Sequence, residues 1–344
     1  MMRKILLATV AAFALGLAAP VARAQTTTLK FSTMEAPSDP FVACFTQPML
    51  AELKAATGGR LDTETYMGGT AFAHPLRQYE QVAQGVMDIS QGVLSYSPGQ
   101  FALAEVATMP FLIDDATIGA IALNRLAPTY LAEELKHIHL MALLVTPPQT
   151  IHMRGDFTGI DDLKGKRIRA TGVGATALLK GLGITPIAMP APAVYENLQK
   201  GVIDGALAEF TALQAFRIGE VTRTHVLANV SVALLFVGMN KARYDSLPAD
   251  IREIVRSRFS GPALAEKAAA CWERLGAEVA RGLQAEGQRF VELSAADRAR
   301  VMPVAQEVTA TYIADVEKRG KQAAAFHAAL VAELAKLRAE RKAQ

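Results

Sequence analysis

Cysteine is scarce in this sequence: Cys44 and Cys271 are the only two in 344 residues. Neither belongs to a C-x-x-C pair, which leaves a thiol-redox or zinc reading without support. Two cysteines allow either one disulfide, in an oxidising compartment, or two buried thiols. Hydrolase signatures are missing as well, with no G-x-S-x-G and no H-E-x-x-H. Beyond the first 24 residues no apolar run reaches the roughly 20 residues needed to span a membrane. The best of them, Val226–Met239, is interrupted by Asn229 and Ser231 and reads as a buried strand. Surplus charge is also lacking. The formal +3 is fully accounted for by Arg3, Lys4 and Arg23 near the N-terminus. Nothing therefore marks the chain for nucleic acid or for an anionic membrane surface.

What is present begins with an address. Arg3 and Lys4 precede the apolar stretch Ile5–Pro20, and Ala22-Arg23-Ala24 supplies a small-residue cleavage site before Gln25. This pattern predicts a secretory signal peptide over residues 1–24, with a short N-terminal anchor as the alternative. No cysteine follows the cleavage site, which argues against a lipid anchor. The expectation is an exported, periplasmic chain that does not itself span the membrane, long enough after cleavage for two lobes.

A repeat supports two lobes. Tyr79–Asp88, YEQVAQGVMD, recurs 116 residues later as Tyr195–Asp204, YENLQKGVID, with five of ten positions identical. Each copy reads as a helix end, a glycine in the left-handed conformation, and then a short strand. The chain between and around the copies alternates strand and helix patterns, with strands predicted at Leu29–Thr33, Arg60–Tyr66, Leu140–Thr146, Gly165–Ala170, Ile184–Met189 and Ser231–Met239. The strand that runs through Pro147-Pro148 and resumes at Gln149–Met153 is placed to carry the chain between lobes. From Ala249 onward the pattern is almost wholly helical.

The segment Asp161–Thr176, DDLKGKRIRATGVGAT, carries the most chemistry. Arg167 and Arg169 alternate on a strand and so share a face. The strand leads through Gly172-Val173-Gly174 into a helix, whose first N–H groups attract anions. A guanidinium beside them suits a carboxylate bidentately. The run also fits the dinucleotide fingerprint G-x-G-x-x-A. The following strand, however, ends in Met189-Pro190-Ala191-Pro192, where a ribose-binding acid should follow. His137 and His139 form an H-x-H that lacks a third ligand in sequence. Glu35, after the first strand, can line a cleft. Ser95 and Tyr96 lie in a turn, Gln149, Thr150 and His152 follow the double proline, and Phe210 and Phe236 supply either core or apolar contact area.

Three stretches, DLKGKRIRATG at 162–172, AVYENLQKGVIDGA at 193–206 and MNKARYDSLPADIR at 239–252, occur in an order and spacing that resembles the solute-binding components of tripartite ATP-independent periplasmic (TRAP) transporters, of the dicarboxylate-binding type. The resemblance implies an α/β, two-lobed periplasmic binding protein, type II-like, with crossing strands and a long lobe-spanning helix. Residues 25–147 would form the first lobe, 148–238 the second, and 239–344 a helical region bridging both. It implies capture of a small organic acid, delivery to TRAP-type integral membrane subunits, no cofactor and no catalysis. An exported sensor component, or an enzyme on the same scaffold, are the alternatives. Arg169 matches the family's carboxylate-binding arginine. A second arginine frequent in members with sugar-acid ligands is replaced here by Pro148, and a frequent pocket asparagine is replaced near Ala208 and Glu209. These departures shift the expected ligand toward an aromatic or α-keto monocarboxylate.

Overall fold

The computed structural model describes residues 26–343; the expected signal peptide lies outside them. Eleven strands are divided between two sheets. The first sheet contains β1 (Thr27–Thr33), β2 (Leu61–Tyr66), β3 (Ile89–Val93) and β4 (Ile138–Val145). The second contains β5 (Thr150–Met153), β6 (Arg167–Ala170), β7 (Thr185–Ala188), β8 (Gly205–Ala208) and β9 (Thr224–Leu227). The chain then returns to the first sheet as β10 (Leu234–Asn240) and later adds β11 (Arg289–Glu292) to the second. The orders are β2-β1-β3-β10-β4 and β11-β9-β5-β8-β6-β7. In the first sheet β10 runs antiparallel to both neighbours, while β1 pairs in parallel with β2 and β3.

The sequence repeat is a structural repeat. Gly85 and Gly201, at φ 76° and 70°, end the short helices Gln78–Ala83 and Val194–Gln199. The aspartate that closes each copy then clamps a neighbouring strand. Asp88 accepts from Lys30 N at 2.8 Å and donates its own N–H to Lys30 O at 2.9 Å. Asp204 does the same with Arg167, at 2.8 and 2.7 Å. Each copy thus fixes a parallel strand pair, β3 beside β1 and β8 beside β6.

Among the described residues two strand crossings join the lobes, and they are hydrogen-bonded to each other. Thr146 N donates to Ala233 O, Gln149 N to Ser231 O, and Val230 N to Gln149 O, at 3.1, 2.7 and 2.9 Å. Between these bonds lie Pro147 and Pro148, which have no N–H to give. The connection is therefore a two-stranded ribbon with a gap in its ladder, a suitable place for lobes to rotate.

This ribbon corrects the expected boundaries. The run Val226–Met239 is not one strand. Asn229 takes φ 50° and splits it, so that its beginning stays in β9 and its end enters β10 in the first sheet. Residues 148–238 accordingly do not all belong to the second lobe, and β11 brings part of the 239–344 tail into the second sheet.

The helix Pro262–Ala285 spans both lobes. It packs on the first-lobe helix Ala116–Tyr130 and on β4, and farther along on the second-lobe helix Phe210–Ala215. Leu264, Ala265, Ala268, Ala269, Cys271, Trp272 and Leu275 form its buried stripe at helical spacing. Cys271 on this stripe is disulfide-bonded to Cys44, with Cα atoms 6.2 Å apart and a sequence separation of 227. Closing so long a loop restricts the unfolded chain. Cys271→Ser is expected to lower unfolding stability by about 2–5 kcal/mol, measured by urea denaturation of oxidised protein. The same loss should follow reduction of the wild type, and equal midpoints for all three samples would contradict a stabilising crosslink.

Candidate functional site

Strand alternation puts Arg167 and Arg169 on one face of β6 but at different depths. Arg167, at the exposed strand start, pairs with Asp204 at 3.0 Å. Arg169, two residues deeper, is only 3% exposed. Its Nε donates to Met189 O at 3.0 Å, Nη1 to Leu207 O at 2.8 Å, and Nη2 to Tyr96 Oη at 3.3 Å. A guanidinium has five N–H groups. Three are used here on neutral oxygens, leaving one on each terminal nitrogen. Two carbonyls and a phenol orient the fork without neutralising it.

Arg169 faces a cavity between the lobes, lined by residues of both. Tyr96 reaches in from the first lobe, and its Oη also accepts from Ala191 N at 2.9 Å. Burial raises the phenol's pKa. Gln149 lines the cavity from the crossing ribbon. An aromatic wall comes from Phe41 and Trp272, whose rings stack at 4.1 Å and 5°, with Met34 and Phe216 nearby. Trp272 adjoins Cys271, and Phe41 precedes Cys44 by three residues, so the disulfide fastens the two chain segments that carry this wall.

Three carboxyls line the cavity: Glu35, Asp39 and Glu209. Among the described residues no group of three or more His, Cys, Asp or Glu is placed to hold a metal ion. Glu35 is 5% exposed, and burial, reinforced by the charge of Asp39, pushes its carboxyl from the ordinary 4.5 up to about 7. Thr33 Oγ1 and Gln91 Nε2 both donate to Glu35 Oε2. Burial also raises Asp39. Asp39 Oδ1 accepts from Phe41 N at 2.8 Å. Glu209 is raised by burial too, against the lowering pull of Arg169. One guanidinium and three carboxyls whose pKa values burial raises therefore share the space.

Of the expected site residues, Arg169, Glu35, Tyr96, Gln149 and Glu209 line this cavity. The others are placed elsewhere. Ser95 Oγ accepts from Leu234 N and holds the start of β10. Thr150 is buried within β5. His152 is turned away from the cavity, with Nδ1 2.8 Å from His225 Nδ1 and Nε2 3.1 Å from Ala208 O. Phe210 packs edge-on against His152 and stacks with Phe290. Phe236 is fully buried in the first-lobe core against Tyr79. Alternation along β10 accounts for Phe236, since its neighbour Leu235 takes the cavity side; Phe210 opens the helix Phe210–Ala215 and packs into the second-lobe aromatic cluster. The helix start at Gly172-Val173 is also not part of the anion site. Glu105, on the first-lobe turn Ala104–Thr108, takes its N–H instead, with Val173 N donating to Glu105 Oε2 at 3.2 Å. A Cβ on Gly174 would lie 2.5 Å from Thr108 O, so glycine here permits this close contact.

Sequence reasoning missed Asp39, Phe41, Thr171, Phe216 and Trp272. Thr171 was findable, since it continues the alternation of Arg167 and Arg169 to the same face. Phe41 and Trp272 were not, because they meet only through packing of segments more than two hundred residues apart.

A two-lobed α/β clamp with a charged anchor buried in its interlobe cavity defines the class of extracytoplasmic solute-binding proteins. The family described as bacterial extracellular solute-binding protein, family 7 (DctP), matches residues 31–315, and the chain belongs to it. The chain is 26% identical over 305 residues, 87% of its length and 89% of the other, to the Outer membrane transporter protein TsaT of Comamonas testosteroni. Two solved structures superpose at a TM-score of 0.86. One is a TRAP solute-binding protein from Rhodoferax ferrireducens in complex with copurified benzoate, 27% identical, covering 90% of this chain and 98% of that one. The other is a marine metagenome TRAP solute-binding protein specific for aromatic acid ligands, in complex with 3-hydroxybenzoate, 28% identical, covering 91% and 99%.

The raised carboxyl of Glu35 has a testable consequence. Between pH 4.5 and 7 the folded chain holds a proton that the unfolded chain has released, so stability falls as pH rises through this window and is level above it. The fall attributable to this residue is up to about 3 kcal/mol. Glu35→Gln removes it. Relative to wild type the variant should therefore gain more stability at pH 8 than at pH 5, read from urea unfolding. An identical difference at both pH values would show that Glu35 titrates normally.

Proposed function

We propose that this chain is the exported, periplasmic component of a TRAP-type transport system. It captures a small aromatic monocarboxylate between its lobes and presents it to integral membrane subunits. The observation that carries this reading is Arg169, buried at 3% exposure with an N–H on each terminal nitrogen unspent and only neutral oxygens as partners. A carboxylate accepts both N–H groups at once and supplies the missing charge. The stacked Phe41 and Trp272 offer a flat apolar face for a ring. The two aromatic-acid complexes among the similar structures support the same ligand class.

The acids argue against a second carboxylate on the ligand. Glu35, Asp39 and Glu209 already crowd the cavity with carboxyls whose ionisation burial makes costly. Another anion among them would be desolvated without a cation to offset it. Closure follows from where the contacts originate: Arg169 stands on the second lobe, Glu35, Phe41 and Tyr96 on the first. A ligand that touches both sets binds the closed arrangement better and shifts the population toward it.

Arg169→Ala is expected to weaken benzoate binding by at least 100-fold, which corresponds to roughly 3 kcal/mol for a buried charged pair. Arg169→Lys should lose at least tenfold, since an ammonium cannot present the fork. Titration calorimetry checks both. Benzoate binding of Arg169→Ala at wild-type strength would refute the assignment.

A further inference from the structure

Each lobe gives the cavity polar groups that a plain aromatic acid would not use equally. On the second lobe Thr171 follows Arg169 by two residues and continues its alternation just past the end of β6. It is 4% exposed, its Oγ1 has no hydrogen-bond partner in the protein, and it lines the cavity. Buried hydroxyls are nearly always paired, so an orphan aimed at a binding space marks a ligand contact. A hydroxyl beside a guanidinium fits the carboxylate, which accepts up to four hydrogen bonds.

On the first lobe the polar group is Glu35. Its hydrogen bonds from other side chains, Thr33 and Gln91, both fall on Oε2, so no side chain among the described residues donates to Oε1, in a residue that also lines the cavity. Asp39 shows the same asymmetry, with its recorded bond on Oδ1. Benzoate would press a bare ring edge against these oxygens and leave them desolvated without a donor, which is costly. A donor on the ligand would satisfy them.

Resting on the aromatic-carboxylate reading above, we propose that the preferred ligand bears a hydroxyl or amino group on the ring away from its carboxylate. Glu35 receives that donor from the first lobe, and Thr171 joins Arg169 at the carboxylate from the second. The two lobes then select the ligand by its donor as well as by its acid, and a ligand lacking the donor closes them less firmly. The shared chemistry is a hydrogen-bond donor, and hydroxyl and amine are separated by the arms of the test.

The test is calorimetric titration at pH 8 with benzoate, the three hydroxybenzoates, the three aminobenzoates and isophthalate. Wild type, Glu35→Leu, Glu35→Gln and Thr171→Val are compared. At least one hydroxy or amino isomer should bind wild type ten times more tightly than benzoate, and isophthalate should bind more weakly than benzoate. Glu35→Leu should reduce the affinity of that isomer at least tenfold more than it reduces that of benzoate. Glu35→Gln, which keeps the size of the side chain, should show a smaller loss of the same preference and covers the case in which the leucine variant fails to fold. Thr171→Val should weaken benzoate and the preferred isomer by the same factor, about three- to tenfold, because it acts on the carboxylate they share. Benzoate binding as tightly as every isomer, or a donor preference that survives both Glu35 substitutions, would overturn the proposed subsite alone. Failure of every aromatic acid, benzoate included, would overturn the aromatic reading on which it rests.

Discussion

A guanidinium taken out of water without a carboxylate partner is the constraint around which this protein is organised. Arg169 is held by the carbonyls of Met189 and Leu207 and by the phenol of Tyr96, all neutral. Such partners fix direction without cancelling charge, so the residue stays costly until an anion arrives. Two of the three partners belong to the second lobe and one to the first. The state of the anchor and the separation of the lobes are therefore linked, which is what a capture device requires.

The rest of the architecture serves that link. Two strands cross between the sheets as a bonded ribbon, and the prolines at 147 and 148 interrupt its ladder where rotation is needed. The helix Pro262–Ala285 rests on both lobes and carries Trp272 into the cavity wall. The disulfide to Cys44 ties that helix to the first lobe beside Phe41. Glu105 adds a second cross-lobe contact by capping the helix that begins at Val173. In the cavity itself, three buried carboxyls without a second cation narrow the chemistry that can enter.

Much of this was legible in the sequence because it rests on local rules. The repeated YE-x4-GV-x-D predicted two similar units, since a glycine stop at a helix end is a short-range device. Alternation on β6 predicted the inward course of Arg169, and applied one step farther it would have reached Thr171. What stayed hidden depends on long-range packing. The stretch Val226–Met239 looks like one apolar strand, yet Asn229 at positive φ turns it into the end of one sheet and the start of the other. The helix start at Gly172-Val173 looks like an anion site, and it is one, but its carboxylate is Glu105 from 68 residues away. His152 beside the double proline, open to a structural or a pocket role from sequence, takes the structural one and pairs with His225 across two strands.

The central claim is that Arg169 keeps its carbonyl partners and gives its remaining fork to a ligand carboxylate. A crystal structure of the protein with bound benzoate or a hydroxybenzoate tests it most directly. The account predicts both carboxylate oxygens within hydrogen-bond distance of Nη1 and Nη2, the ring against Phe41 and Trp272, and the bonds to Met189 O and Leu207 O intact. A ligand seated with its carboxylate away from Arg169, or outside the interlobe cavity, would contradict it.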